Sequence, residues 1–192
     1  MMVIKKALNH IRTFKNRREF VMNSVHESDL VVRSTSHCTA QNKCDIGKRC
    51  EIKGRLFSFK GGKISIGNNV FMNYNSFIGS MEAVTIGNDV IIATNVRIFD
   101  NNNHPTSPIQ REKMSHSDFY GELWTWKYAV HKPVVIEDNV WVGEFSAILK
   151  GVTIGMGLIV ASHSVVTKDV PPYVIGAGNP ARVVKRLEEG SF

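Results

Sequence analysis

The side chains best suited to chemistry gather in one stretch, FDNNNHPTSPIQREKMSHSDFYGELWTWKYAVHKPVV, which holds three of the seven histidines, His104, His116 and His131. A neutral imidazole, with a reference pKa of about 6.5, can take a proton from a weak nucleophile such as a hydroxyl near neutral pH. Asp100, four residues before His104, has two readings. Its carboxylate accepts a hydrogen bond from the imidazole and fixes the tautomer, or it turns the chain, a role that Asp and Asn favour. The abundance of Asn, Pro, Ser and aromatic residues predicts a loop leaving a regular scaffold, and long loops of this kind usually carry function. Cys38, Cys44 and Cys50, spaced by six, invite a metal or disulfide reading.

The scaffold is written in an aliphatic residue at every sixth position: Ile136, Val142, Ile148, Ile154, Val160 and Val166. Neither a strand period of two nor a helix period of about 3.6 produces this spacing. If each hexapeptide forms one short strand and a turn, three hexapeptides close one turn of a three-sided prism and residues eighteen apart stack. The cadence continues upstream through Ile46, Ile52, Ile66, Met72, Ile78, Ile86, Ile92 and Ile98, with a turn-to-turn offset of twenty from Ile66 onwards. The extra pair therefore sits at one corner. Four residues after each aliphatic comes a second inward position, filled by small or β-branched residues such as Val70, Ser76, Val90, Val96, Val140, Ser146, Val152, Ser164 and Val170, which suit a crowded parallel β interior. The pattern predicts an all-β solenoid, a parallel β-helix of hexapeptide repeats with an extruded loop at about residues 100–133. In this register the three cysteines fall at second inward positions on successive sides, which favours a buried role.

A chain of 192 residues with 43% hydrophobic content fits one continuous core. It has no apolar run of membrane-spanning length and no signal-peptide apolar region, so a cytoplasmic location is expected. The net charge of +7 is uneven: the first twenty residues hold six Lys or Arg and one acid, leaving about +2 for the rest. That distribution argues against nucleic acid as a partner of the main body. Residues 1–30 read as a basic helix or arm, with Ile4, Leu8, Ile11 and Phe14 near one helical face. Such an element would cover the open end of the β-helix or touch an anionic membrane surface. The β-helix would occupy residues 31–186, followed by a tail at 187–192.

From about residue 64 to 185 the chain resembles the hexapeptide-repeat acyltransferases, in the branch of galactoside, maltose and polysaccharide O-acetyltransferases and xenobiotic acetyltransferases. The matching segments are IGNNVFMNYNSFIG, IGNDVIIATNVRIFD, NHPTSP, IEDNVWVG, GVTIG and VVTKDVPPYVIGAGNPARVVK. The resemblance implies a left-handed coil, a homotrimer with sites between subunits, and acetyl-CoA as co-substrate without a metal. It places the general base at His104, with Asp100 beside it, and an oxyanion donor at a backbone N–H such as that of Gly143. Asn73 and Phe71 match acceptor contacts, and Trp141 matches a residue lining the thioester. The family's acidic acceptor contact falls at Met81, with Glu82 adjacent, a departure that weighs against a galactoside acceptor. Trp124 and Trp126 would stack on a sugar or pack against a neighbouring subunit. For CoA the match carries over Gly143, Glu144, Ser162, Thr167, Lys168, Arg182 and Lys185, the last of these with Lys168 and Arg182 offering cations for phosphates. Glu144 stands where a small hydroxyl residue is usual. The closing segment reads as a final coil, a Gly and Pro turn, and a short basic strand or helix.

The reading favoured on these residues is an O-acetyltransferase acting on a sugar hydroxyl of a polysaccharide, lipopolysaccharide or saccharide precursor. Xenobiotic acetylation and amino-sugar N-acetylation are alternatives on the same fold. From other classes come a non-catalytic scaffold and a metal-dependent carbonic anhydrase. The latter needs three converging His ligands, and His37, His104, His131 and His163 lack that family's paired spacing.

Overall fold

The computed structural model describes residues 44–59 and 61–188, together with the strands Ser24–His26, Val31–Val32 and His37–Cys38. The expected N-terminal helix lies outside these residues, as does most of the 187–192 tail. Within the stretch expected as an arm, the strand Ser24–His26 already pairs in parallel with Cys44–Ile46.

Three sheets form the faces of a prism. The first runs through Ser24–His26, Cys44–Ile46, Lys63–Ile66, Ala83–Ile86, Val134–Ile136 and Thr153–Ile154. The second includes Glu51–Ile52, Phe71–Met72, Ile91–Ile92, Trp141–Val142, Ile159–Val160 and Val174–Gly178, and the third includes Arg55–Ser58, Phe77–Ser80, Arg97–Phe99, Ala147–Ile148 and Val165–Val166. All pairings are parallel except the last, where Ala181–Arg186 folds back on Val174–Gly178 as an antiparallel hairpin. The basic closing segment is thus a strand. Each side is short because the inward side chains alternate with corner residues that must bend the chain.

The columns fall where the six-residue cadence puts them. Ile136 pairs with Ile154, Val142 with Val160 and Ile148 with Val166, and the offset of twenty holds for Ile66 and Ile86, Met72 and Ile92, and Ile78 and Ile98. Ile86 then meets Ile136 and Ile98 meets Ile148, so the coil resumes in register after the loop. The second inward residues are buried with them.

Corners recur between the first and second faces (the first corner), the second and third (the second corner), and the third and first (the third corner). At the first corner the Oδ1 atoms of Asn68, Asn88 and Asp138 accept from the backbone N–H groups of Lys48, Asn68 and Asn88 at 2.8, 2.9 and 2.7 Å. Their neighbours Asn69, Asp89 and Asn139 take φ of 58°, 58° and 56°, the left-handed turn that Asn and Asp tolerate best.

One column differs from the sequence reading. Cys38 pairs with Leu56, which pairs with Ile78, so Cys38 stands in the row of the principal aliphatics rather than at a second inward position. Leu56 itself follows Ile52 by four residues because the second corner there is cut short. Gly54 permits this: a Cβ at that position would lie 2.5 Å from the Ser76 carbonyl oxygen and 2.4 Å from the Met72 methyl. Cys44 and Cys50 are buried in the core. Among the described residues no helix is long and apolar enough to cross a membrane.

Candidate active site

The third corner departs most from the repeat. There the extra pair, Met81 and Glu82, leaves backbone N–H groups that the regular ladder cannot satisfy, and one coil later the long loop exits. Asp100 solves the first problem. Its fully buried carboxylate accepts from Met81 N–H at 2.8 Å and Glu82 N–H at 2.7 Å, and it also faces the Ser80 hydroxyl at 3.0 Å and the Asn101 amide at 3.1 Å. His104 is not among these four donors. Of the two sequence readings of Asp100 the turn-making one is observed, because burial next to unpaired N–H groups recruits the carboxylate first.

The loop is closed at its root. Asn101 bridges His131 in antiparallel fashion, Asn102 N–H donates to Val130 O at 3.0 Å, and Lys132 N–H donates to Asp100 O at 2.8 Å. Beyond the root lies a helix, Pro108–Ser115, where the composition predicts only loop. The signal was the Ser107–Pro108 pair: Ser107 caps the helix and Pro108 opens it. Two 3-10 turns follow, Glu122–Trp124 and Trp126–Tyr128. Lys127 and Glu122 form an ion pair across them, and the hydrogen bond that the Lys127 ammonium donates to the Glu122 carboxylate raises the Lys127 pKa above the ordinary lysine value.

The loop then folds over the third face. The Trp126 ring meets Phe57 edge-on at 4.8 Å, Phe99 at 5.7 Å and Phe59 at 6.3 Å. Gly79 makes room, since a Cβ there would lie 2.6 Å from both Trp126 and Phe99. Trp126 therefore packs on phenylalanines of its own chain. Trp124 instead approaches His104, ring centroids 6.2 Å apart and nearly perpendicular. Its buried indole N–H has no hydrogen-bond partner.

His104 is exposed at the edge of an open cleft of about 380 Å³, walled by Phe99, Asn101, Arg111, Leu149 and Lys150 among others. Glu82, at the same corner, is bonded to His131 Nδ1 at 2.9 Å, and both are about half exposed. One coil below Leu149 and Lys150 come Thr167 and Lys168, both exposed; the ladder fixes that stacking, Leu149 N–H donating to Val166 O at 3.0 Å.

The other expected site residues lie elsewhere on the prism. Phe71 and Trp141 point outward from the second face, each paired with Ile91. Asn73, Gly143, Glu144 and Ser162 form the second corner. Asn73 Oδ1 accepts from Tyr74 N–H at 2.9 Å, and the Lys53 ammonium sits 4.4 Å from the Phe71 ring centroid. Gly143 is not an available oxyanion donor, because its N–H is already given to Val160 O at 2.8 Å. It is glycine for packing: a Cβ would fall 2.6 Å from Ser162 N. Glu144 is exposed, as is His163, whose ring stacks on Phe145 at 4.9 Å. Arg182 and Lys185 are exposed on the terminal hairpin strand. A single chain thus brings His104, Asp100, Glu82, Thr167 and Lys168 to one corner and leaves Phe71, Asn73, Trp141, Gly143, Glu144 and Ser162 on another edge, with the Trp126-covered third face between. Among the described residues no group of three or more His, Cys, Asp or Glu side chains could hold a metal ion.

Residues 133–168 match the bacterial transferase hexapeptide family and residues 63–99 the hexapeptide repeat of succinyl-transferase. C18B11.09c of Schizosaccharomyces pombe, a protein itself assigned rather than established as an acetyltransferase, is 32% identical over 167 residues, 87% of this chain and 74% of that one. Galactoside O-acetyltransferase of Escherichia coli (strain K12) is 33% identical over 144 residues, covering 75% of this chain. The matched part spans 64% of that enzyme's length, just under two thirds. The hexapeptide-repeat acetyltransferase VCA0836 of Vibrio cholerae O1 biovar eltor, solved with acetyl-CoA, superposes with a TM-score of 0.59 at 25% identity, over 98% of this chain and 79% of that chain. The chain belongs to the hexapeptide-repeat acyltransferase family, with its left-handed parallel β-helix, in the branch that includes the galactoside O-acetyltransferases.

Proposed function

We propose that this protein transfers the acetyl group of acetyl-CoA to a hydroxyl of a saccharide, with His104 as general base. The observation that carries this reading is the placement of His104: an exposed imidazole at the mouth of a cleft, on a loop whose root is latched to a rigid coil. A sugar hydroxyl needs its proton removed as it attacks, and an imidazole titrating near neutrality suits that work. The acceptor oxygen bonds to the acetyl carbonyl carbon while a ring nitrogen of His104 takes the hydroxyl proton. The carbon–sulfur bond then breaks and the proton passes to sulfur, giving an acetyl ester and the CoA thiol.

Residues on this chain fit the co-substrate. Thr167 and Lys168 continue the edge that begins beside His104, and the exposed cations Lys168, Arg182 and Lys185 suit its phosphates. The remaining expected contacts, Phe71, Asn73, Trp141, Gly143, Glu144 and Ser162, reach this edge only if a second copy sets its second corner against it. We therefore read the working form as a homotrimer with three shared sites. The outward apolar column on the second face, with Ile91 and Trp141 about half exposed, supports such an association. Use of acetyl-CoA fits a cytoplasmic location.

Acetyl-CoA is expected to raise the melting temperature of the purified protein by mass action, and a saccharide panel should show CoA thiol release. No thermal shift and no release would exclude the reading.

A further inference from the structure

We propose that the acceptor is an anionic saccharide, one whose carboxylate or phosphate is held by Lys150 and Arg111 while its hydroxyl meets His104. The inference rests on the acetyl transfer proposed above. Of the ten residues lining the His104 cleft, Arg111 and Lys150 are cationic and none is a carboxylic acid. The Arg111 guanidinium is anchored by the carbonyl oxygens of Pro105 at 3.1 Å and Thr106 at 2.7 Å. Those neutral acceptors fix its position and leave its charge and its remaining donors in place. Lys150 is half-buried. Among the described residues neither cation makes an ion pair.

The charge is reinforced along the corner. Lys132, Lys150 and Lys168 stand at successive intervals of eighteen, which the strand register converts into neighbouring coils about 4.8 Å apart. The Lys132 side chain lies over Gly151. The acids at this edge are otherwise engaged: Asp100 is buried with four donors, Glu82 binds His131, and Asp169 accepts from Thr153 N–H at 2.8 Å. Stacked like charges repel, and an anion in the cleft relieves that repulsion. The phosphates of CoA are a poor match for Lys150 and Arg111. With the thioester at His104, those phosphates lie at the far end of the extended pantetheine arm, whereas Lys150 and Arg111 share the cleft with the base. Arg182 and Lys185, on the terminal hairpin beyond the last coil, are the cations offered to those phosphates.

The test pairs each charged saccharide with its neutral counterpart, galacturonic acid with galactose and glucose 6-phosphate with glucose, plus oligomers of each. Binding to the CoA-loaded protein and acetyl-transfer rates are both read. At least one charged member should outperform its neutral partner by roughly ten- to hundredfold, with the preference shrinking as salt is added. Lys150→Ala should raise KM for the charged acceptor by a similar factor, Lys150→Arg should restore it, and KM for acetyl-CoA should stay put. If no charged member outperforms its partner, absence of binding included, this inference is overturned while stabilisation by acetyl-CoA still supports the transferase reading. A rise in KM for acetyl-CoA alone would assign Lys150 to CoA and overturn it equally. Absence of both transfer and acetyl-CoA stabilisation would remove both proposals together.

Discussion

Two copies of the third corner in this chain reach opposite outcomes. After Ile148 the chain turns through Leu149, Lys150 and Gly151 and re-enters the first face at once. After Phe99 it leaves for more than thirty residues, forms a helix and two 3-10 turns, and returns at Val134 in the register it would have had without the excursion. The difference lies in how backbone polar groups are satisfied. In the tight corner the coil ladder suffices, aided by Asp169 accepting from Thr153 N–H. In the open corner Asp100 caps Met81 and Glu82, and the Asn101–His131 bridge seals the exit. Sealing the root lets the coil resume its register across the exit, and beyond it the loop that carries His104 rests on the scaffold through Trp126.

That division can be broken in graded ways. Replacing residues 102–130 by a two-residue turn across the Asn101–His131 bridge is expected to leave a cooperative β-helix, seen by circular dichroism and melting, with no acetyl transfer; a chain that no longer folds would show the loop to be part of the core. Ile154→Ala, in the regular coil, should lower stability by about 2–5 kcal/mol in denaturant titration and leave kcat intact where the protein is folded. Asp100→Ala should cost about 1–3 kcal/mol by stranding the Met81 and Glu82 N–H groups, and it should also depress kcat by loosening the root; a loss of activity at full stability would instead favour a direct role beside His104. His131→Ala removes a half-exposed pair with Glu82 and should shift stability by less than about 1 kcal/mol.

The regular half of the molecule was legible because each inward aliphatic answers to one constraint, the stacking of identical coils. Leu56 escaped the cadence because Gly54 allows a shortened corner, a contact with Met72 and Ser76 visible only in three dimensions. The loop was legible as a break, yet its interior was not. Trp126 packs on phenylalanines from two coils, and no local pattern records that. Asp100 left two readings open in sequence, and only the position of unpaired N–H groups one coil away decides between them. Gly143 looked like a donor through the resemblance, whereas the ladder had already used its N–H. Lys150 drew no notice in sequence, since a lone lysine in a hexapeptide becomes informative only beside Arg111 and His104.

The most direct measurement is the rate of acetyl-CoA-dependent ester formation by His104→Ala beside the native protein, with acetyl-CoA stabilisation measured on both. The expected result is a loss of about 10²- to 10⁴-fold in kcat with melting temperature and acetyl-CoA binding preserved. Turnover at the native rate would contradict the assignment of the chemistry to the loop.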